Sequence, residues 1–559
     1  WKCSSGSRKT DLASLLTALR AGAYPELSAY FSLLFLGIFL PACLVLYSLT
    51  PGKYRKYALL LESLLFYWLI SGAYILYLLA SVGAIFAFGL WMQRIYVRRD
   101  AAVKTAEKAE RKAIKKAYQK KARHVMTLGV LLHIGLILVL KYTGFFLENV
   151  NALFGLTVAI PAFVKPLGLS FFILQSVSYL VDVYRQTIPA DGNVLRLGLY
   201  LSFFPGIVEG PICRYGDTAR ALWEAKPIAY ENLCLGLQRI AFGLMKKLVI
   251  ADRLNPMVEE LFSHNDAYPG YMSLVGGVLY TLQLYADFSG SMDAVCGTAQ
   301  IFGLTVPENF RRPFFSKNIS EFWTRWHITL GTWFRDYIFY PVTMSAPLKK
   351  LTTAARKKLG NHFGPLIAGS IALLCVWFCN GLWHGAAWHY VFFGLYHFVL
   401  ILLGSAFAPL FKRVNGALHL TPENKAFRLF QMLRTTFLVI LGEIIFRADN
   451  MAMAGNMLRR IFTDFGEPFS KYYSIRGWMK TLADSTLCSV RDLQIVGVAA
   501  VILLTVSILQ ERGGDIRSRL SARPAWQRWA VWYALLLFIL IFGAYGPGYV
   551  AIDPMYANF

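Results

Sequence analysis

The chain has 559 residues, 56% of them hydrophobic and 15% aromatic, with only 16% charged and a mean hydropathy of +0.46. A net charge of +25 would suit a nucleic-acid binder, but its placement excludes that reading, because the excess sits in short basic stretches between apolar runs. Runs of about twenty apolar residues match the ~30 Å hydrocarbon core as helices, so the composition excludes a string of soluble domains and indicates a polytopic helical membrane protein.

In chain order, residues 1–29 form a polar N-terminal extension without the charged-then-apolar layout of a signal peptide. The first residue is tryptophan, which suggests that a natural start is missing. From residue 30 onward, about ten to twelve spans are expected. They fall near 30–49, 57–91 (two, broken at Ser71 and Gly72), 125–141, 151–183, 195–212, 232–250, 271–287, 365–380, 386–410, 427–446, 494–510 and 528–546. LPAC at 40–43 has the letters of a lipoprotein box, but more apolar residues follow it, so it reads as part of a span. The stretch 94–123 carries twelve Lys or Arg against three acids, and 346–362 carries five against none. Both read as cytoplasmic by the positive-inside rule, beside anionic lipid headgroups. Residues 447–493 read as an extramembrane loop with short helices.

Several spans are interrupted by Gly and Pro, as in AIPAFVKPLGLSFF (159–172) and FFPGIVEGPICRYGD (203–217). Broken helices persist at membrane depth only where protein or a water-filled cavity satisfies the freed backbone, which directs the search for a site to the middle third. Polar groups concentrate in four places: FILQSVSYLVDVYR (172–185), LYADFSGSMD (284–293) with Asp287 and Ser289, SEFWTRWHITLGTWFRDYIFYPV (320–342), and CNGLWHGAAWHYVFFGLYH (379–397). Ionisable residues in spans are costly and normally face a cavity or a partner. Asp182 and Arg185, three apart near a span end, read as a simple helix pair.

His384 is the sharpest candidate, flanked by Gly381 and Gly385 and walled by Trp383 and Trp388. Neutral imidazole is the form able to accept a proton. His327 lies 57 residues earlier, beside Arg325 and upstream of Arg335 and Asp336. A lone span histidine is more often a packed core residue, but two in Trp-rich, Gly-punctuated segments point to function. His384 and His389 are five apart, about 140° around one helix, so no HExxH-like metal pair is expected. The eight cysteines include no CxxC pair, and Cys375 and Cys379, one turn apart, read as helix packing. No Walker loop or GxSxG elbow occurs. GPGYVA (546–551) has dinucleotide-motif letters but no preceding strand.

Seven ordered blocks spread over residues 30 to 559 resemble the membrane-bound O-acyltransferase superfamily, in its bacterial alginate O-acetyltransferase and D-alanyl-lipoteichoic-acid branch. They are YFSLLFLGIFLPACLVLY, LGLSFFILQSVSYLVDVYR, FFPGIVEGPICRY, LYADFSGSMD, NISEFWTRWHITLGTWFRDYIFYPV, NGLWHGAAWHYVFFGLYH and GEIIFRADN. The resemblance implies an all-α bundle around a central funnel with re-entrant segments, in the plasma membrane of a bacterium. It implies His384 as the near-invariant superfamily histidine and His327 as its partner. Arg325, Trp326, Arg335, Asp336, Asn380, Trp383, Asp287 and Ser289 are expected to bind substrate or support the site. The implied reaction is acetyl transfer from cytoplasmic acetyl-CoA, with no bound cofactor or metal, through an extracytoplasmic acetyltransferase partner to a surface polysaccharide. D-alanyl transfer to teichoic acid from a carrier protein is the alternative within the branch. A multi-pass transporter is the alternative from another class, since broken helices and buried charges also suit alternating access. A structural scaffold is the remaining reading. Glu443 stands where many relatives have an aromatic residue. The chain stops at MYANF, where relatives often continue by a few aromatic residues.

Overall fold

A computed structural model describes residues 24–421, 423–466, 475–485 and 489–545. The expectations for residues 1–23, for Cys3 and Cys488, and for GPGYVA and MYANF fall outside them. Among the described residues the elements are helical, and the only extended pairing is an isolated bridge between Phe310 and Trp326.

The chain divides into two compact units. The first holds residues up to Leu233 together with Ala299–Thr305. Its helices are α1 (Leu40–Leu49), α2 (Arg55–Ser71), α3 (Ile75–Thr105), α4 (Arg111–Ile137), α5 (Thr143–Phe154), α6 (Leu169–Arg185), α7 (Val194–Ser202) and α8 (Tyr215–Glu224). The break expected at Ser71 and Gly72 is real: Gly72 has φ 53°, a left-handed conformation that ends α2 before α3 begins. A fully apolar aromatic cluster built from Tyr30, Phe35, Phe39, Phe66, Phe204 and Phe302 centres this unit, with ring centroids 5.1–6.5 Å apart. Edge-to-face and offset contacts of this kind add to the burial of the rings. Between α6 and α7, Asp191 gathers the connection: Arg196 Nε donates to it at 2.6 Å, the Asn193 amide at 2.8 Å, and the Tyr215 hydroxyl also donates.

The second unit begins at Cys234 and takes in 234–298 and the chain from Val306. It holds most of α9 (Tyr230–Leu244), then α10 (Asp252–Ser263), α11 (Gly270–Ile301), α12 (Ile319–Arg325), α13 (Ile328–Phe334), α14 (Tyr340–Thr343), α15 (Ala346–His384) and α16 (Trp388–Ala406). The remainder are α17 (Ala408–Ala417), α18 (Lys425–Arg447), α19 (Met451–Thr463), α20 (Ile475–Ser485), α21 (Val490–Glu511), α22 (Ile516–Ser521) and α23 (Ala525–Phe542). Helices α9 and α11 approach closely: a Cβ on Gly297 would stand 2.7 Å from the Gly236 carbonyl, and one on Gly290 3.0 Å from that of Gly243. Small residues at such crossings are the usual means of close packing in membrane helices. The polar groups of this region are paired. Lys247 reaches Asp287 at 2.7 Å and Asp252 at 3.0 Å, while Lys246 meets Asp293 at 2.6 Å and Arg239 joins Asp293 and Glu308.

Seven helical segments are long and apolar enough to cross a bilayer: Gly52–Thr105, Arg111–Phe154, Ala346–His384, Trp388–Ala406, Lys425–Arg447, Val490–Glu511 and Ala525–Phe542. The larger number expected from apolar runs differs for two reasons. The first of these segments contains two of the expected spans, α2 and α3. In the middle third, apolar runs are cut by the non-helical stretch 155–168 and by the end of α7 at Ser202, which leaves helices of 17 and nine residues.

Candidate active site

The site lies wholly within the second unit, and its backbone is arranged by three local devices. The first is the junction of α12 and α13, two seven-residue helices that meet at His327. His327 has φ 45° and ψ 52°, the left-handed region that a residue with a Cβ enters at a cost. The segment before it holds the junction in place. The Asn309 carbonyl accepts from the Ile328 amide at 3.0 Å, and its Oδ1 accepts from the Thr329 amide at 3.0 Å and the Thr329 hydroxyl at 2.7 Å. The Arg311 amide donates to the Arg325 carbonyl at 2.9 Å.

The second device is the end of α15. The helix stops at His384, an extended link through Gly385 and Ala387 follows, and α16 starts at Trp388. The packing of α15 on α16 depends on glycine. A Cβ on Gly381 would lie 2.4 Å from the Tyr390 carbonyl, one on Gly394 2.3 Å from the Trp377 carbonyl, and one on Gly385 2.2 Å from the Tyr390 ring. His384 and His389 are therefore on two helices, and the angular argument that treated them as one does not apply. The third device is α18, which brings Phe446 edge-on to the His384 ring at 5.0 Å.

These elements enclose a cavity of about 480 Å³. His327 and His384 both line it and are 3% and 4% exposed. Each imidazole is seated among aromatic rings: His327 against Phe288 at 4.8 Å and Trp383 at 5.6 Å, His384 against Trp383 at 4.9 Å and Phe393 at 5.9 Å. Trp383 thus touches both histidines, whereas Trp388, expected as a second wall, is 50% exposed.

The other expected residues divide into two groups. Trp326, Arg335 and Asn380 join the histidines in lining the cavity. Arg325 is instead engaged with Glu511 at 3.0 Å and Glu321 at 2.7 Å, so it anchors α12 to α21. Asp336 pairs with its neighbour Arg335 at 3.0 Å, with both side chains well exposed, where an ion pair contributes little. Asp287 belongs to the Lys247 cluster, and Ser289 Oγ accepts from Lys246 at 3.1 Å and lines a second, larger cavity beside Arg239. His397 is fully buried against Trp323, Trp377 and Phe393 and is absent from the lining. The sequence reading passed over Asn309, Trp323, Phe446 and, as a lining residue, Glu443. The PEN turn before Phe310 is a faint sign of the first, because Asn commonly bonds nearby backbone.

A multi-pass helical membrane protein that buries two histidines in one aromatic cavity has the means for proton transfer away from bulk water. Residues 186–356 match the model of the MBOAT, membrane-bound O-acyltransferase family. The chain is 31% identical over 485 residues to the probable alginate O-acetylase of Azotobacter vinelandii, covering 86% of this chain and 83% of that protein. It is 28% identical to the peptidoglycan O-acetyltransferase of Helicobacter pylori over 60% of this chain and 64% of the relative. With the teichoic acid D-alanyltransferase of Bacillus subtilis it shares 30% identity, over 50% of this chain and 68% of that protein. The chain belongs to the membrane-bound O-acyltransferase family and is an acyltransferase.

Proposed function

We propose that the protein moves an acetyl group from cytoplasmic acetyl-CoA to a hydroxyl on the far side of the membrane, for O-acetylation of a surface polysaccharide or cell-wall polymer. The observation that carries this reading is the placement of His327 and His384 on one buried cavity. In the proposed step, His384 removes the proton from the acceptor hydroxyl as its oxygen attacks the thioester carbonyl. The C–O bond forms, the C–S bond breaks, and the proton passes to the departing thiolate. His327 stabilises the charge developing on the carbonyl oxygen. The aromatic walls exclude water, which would otherwise compete with the acceptor.

The basic stretches 94–123 and 346–362 would draw the phosphates of acetyl-CoA towards the cytoplasmic face, and an extracytoplasmic partner protein would complete delivery to the polymer. The similarity to alginate O-acetylases over most of the chain favours acetyl over D-alanyl, since the likeness to the teichoic acid enzyme covers only half of it. Acyl groups released by mild alkali from surface polymers test the reading in cells carrying the wild type or His384→Ala. Loss of acetate at unchanged protein level is expected. Loss of D-alanine would move the donor to an aminoacyl carrier, and no loss of either would overturn the enzyme assignment at this cavity.

A further inference from the structure

The histidine mechanism leaves Glu443 on the cavity wall without a task. Glu443 is 2% exposed in α18, and its Oε2 has no hydrogen-bond partner among the described residues. Phe446, three residues on and therefore on the same helix face, is the ring that closes on His384 at 5.0 Å. Two further buried atoms on the lining, Asn380 Oδ1 and Trp323 Nε1, also lack a partner among the described residues. A buried polar group left unpaired costs roughly 1–3 kcal/mol, so three on one cavity are a standing offer to a polar ligand. The offer is specific in kind: carboxyl and carboxamide oxygens to accept from hydroxyls, and an indole N–H to donate to an oxygen. The cation on the lining, Arg335, is held by Asp336 at 3.0 Å with its side chain 53% exposed.

We propose that Glu443 is a specificity-determining residue that contacts the acceptor, selecting an uncharged, hydroxyl-rich group and disfavouring one that bears a carboxylate. The inference rests on the acyl-transfer reading and narrows its acceptor. Hydroxyls of a neutral sugar satisfy Glu443, Asn380 and Trp323 together. A uronate, the repeating unit of alginate, would bring a second carboxylate into a water-poor cavity, adding like-charge repulsion to its desolvation. Trp326, Trp377 and Phe393 on the same lining offer apolar faces to the sugar ring.

The test is equilibrium binding to the full chain in lipid nanodiscs, read by tryptophan fluorescence, with two matched probes: mannotetraose and tetramannuronate, which differ in the carboxylates. The wild type is expected to bind mannotetraose at least about ten-fold more tightly, and Glu443→Gln to narrow the ratio to within about three-fold. Asn380→Asp, which adds a carboxyl to the lining, is expected to widen it at least about three-fold. A wild type that prefers tetramannuronate or binds neither probe overturns the proposal, as does either variant leaving the ratio unchanged. His384→Ala separates the two levels of argument: it is expected to keep the binding ratio while losing acetyl transfer. Retained transfer in that variant would sink the catalytic reading without touching the binding result.

Discussion

Asn309 holds His327 in a left-handed backbone conformation by accepting hydrogen bonds from the two residues that follow it, Ile328 and Thr329. The strain at His327 is of the order of 1–3 kcal/mol, and a side chain needed only for packing gains nothing from it. Removing the Asn309 carboxamide deletes the two bonds to Thr329 and keeps the backbone bond to Ile328, so the fold should survive while the imidazole shifts. For Asn309→Ala we expect acyl transfer to fall roughly 10- to 100-fold, because misplacement by about 1 Å at a reacting centre has that effect. Donor thiol release in membranes, normalised to folded protein by fluorescence-detected size exclusion, measures it. An unchanged rate would show that the clasp positions nothing used in catalysis.

If His384 and His327 act on one transition state, their deletions should not add. His384→Ala is expected to lose at least about a thousand-fold in transfer rate, and His327→Ala about a hundred-fold. The double variant should be no worse than His384→Ala within about three-fold, as for residues that work as a unit. A double variant that shows the product of the two losses would mean independent roles and would contradict a shared step at this cavity.

The glycines between α15 and α16 make a stability test with an internal control. Gly381→Ala forces a methyl to 2.4 Å from the Tyr390 carbonyl, a contact that backbone cannot relieve by a side-chain turn. We expect a loss of about 2–4 kcal/mol and a lower melting midpoint, with activity falling because His384 ends the same helix. Gly369→Ala, also in α15, meets nothing within 4 Å and should be neutral or up to about 1 kcal/mol stabilising through helix propensity. Equal effects at the two positions would refute the close-packing argument.

The legible part of this fold was whatever periodicity and cost could reveal. Apolar runs marked the outer helices, Ser71–Gly72 marked a break that Gly72's backbone makes, and the expense of ionisable groups at membrane depth drew attention to both histidines. Burial partners were not legible, because they depend on which helices meet. Arg325 sits one residue from Trp326 and two from His327, yet it turns to Glu511, which is 186 positions later. Trp388 repeats the chemistry of Trp383, but it begins the next helix and faces outward. Glu443 was visible as an odd residue in an apolar run, and only the crossing of α18 with the end of α15 places it on the cavity. Asn309 had no signal in composition, since its value lies in meeting residues eighteen to twenty positions away.

Asp191 provides a pH test away from the membrane spans. Burial alone would raise its carboxyl, but hydrogen bonds from Arg196, Tyr215 and the Asn193 amide outweigh that and hold it below the usual carboxylate range. The sign follows from linkage: a group with a lowered folded value adds stability above its unfolded value, near pH 4, and loses it as pH falls through the folded one. Asp191→Asn should therefore cost roughly 2–4 kcal/mol at pH 7, since it leaves the Arg196 guanidinium and Tyr215 hydroxyl facing a weaker acceptor. Below about pH 4 the wild type should lose its advantage and the two melting midpoints converge. Thermal unfolding in detergent micelles from pH 7 down to about pH 3, followed by tryptophan fluorescence, measures both. A gap that stays constant across that range would show that ionisation of Asp191 contributes nothing to the α6–α7 connection.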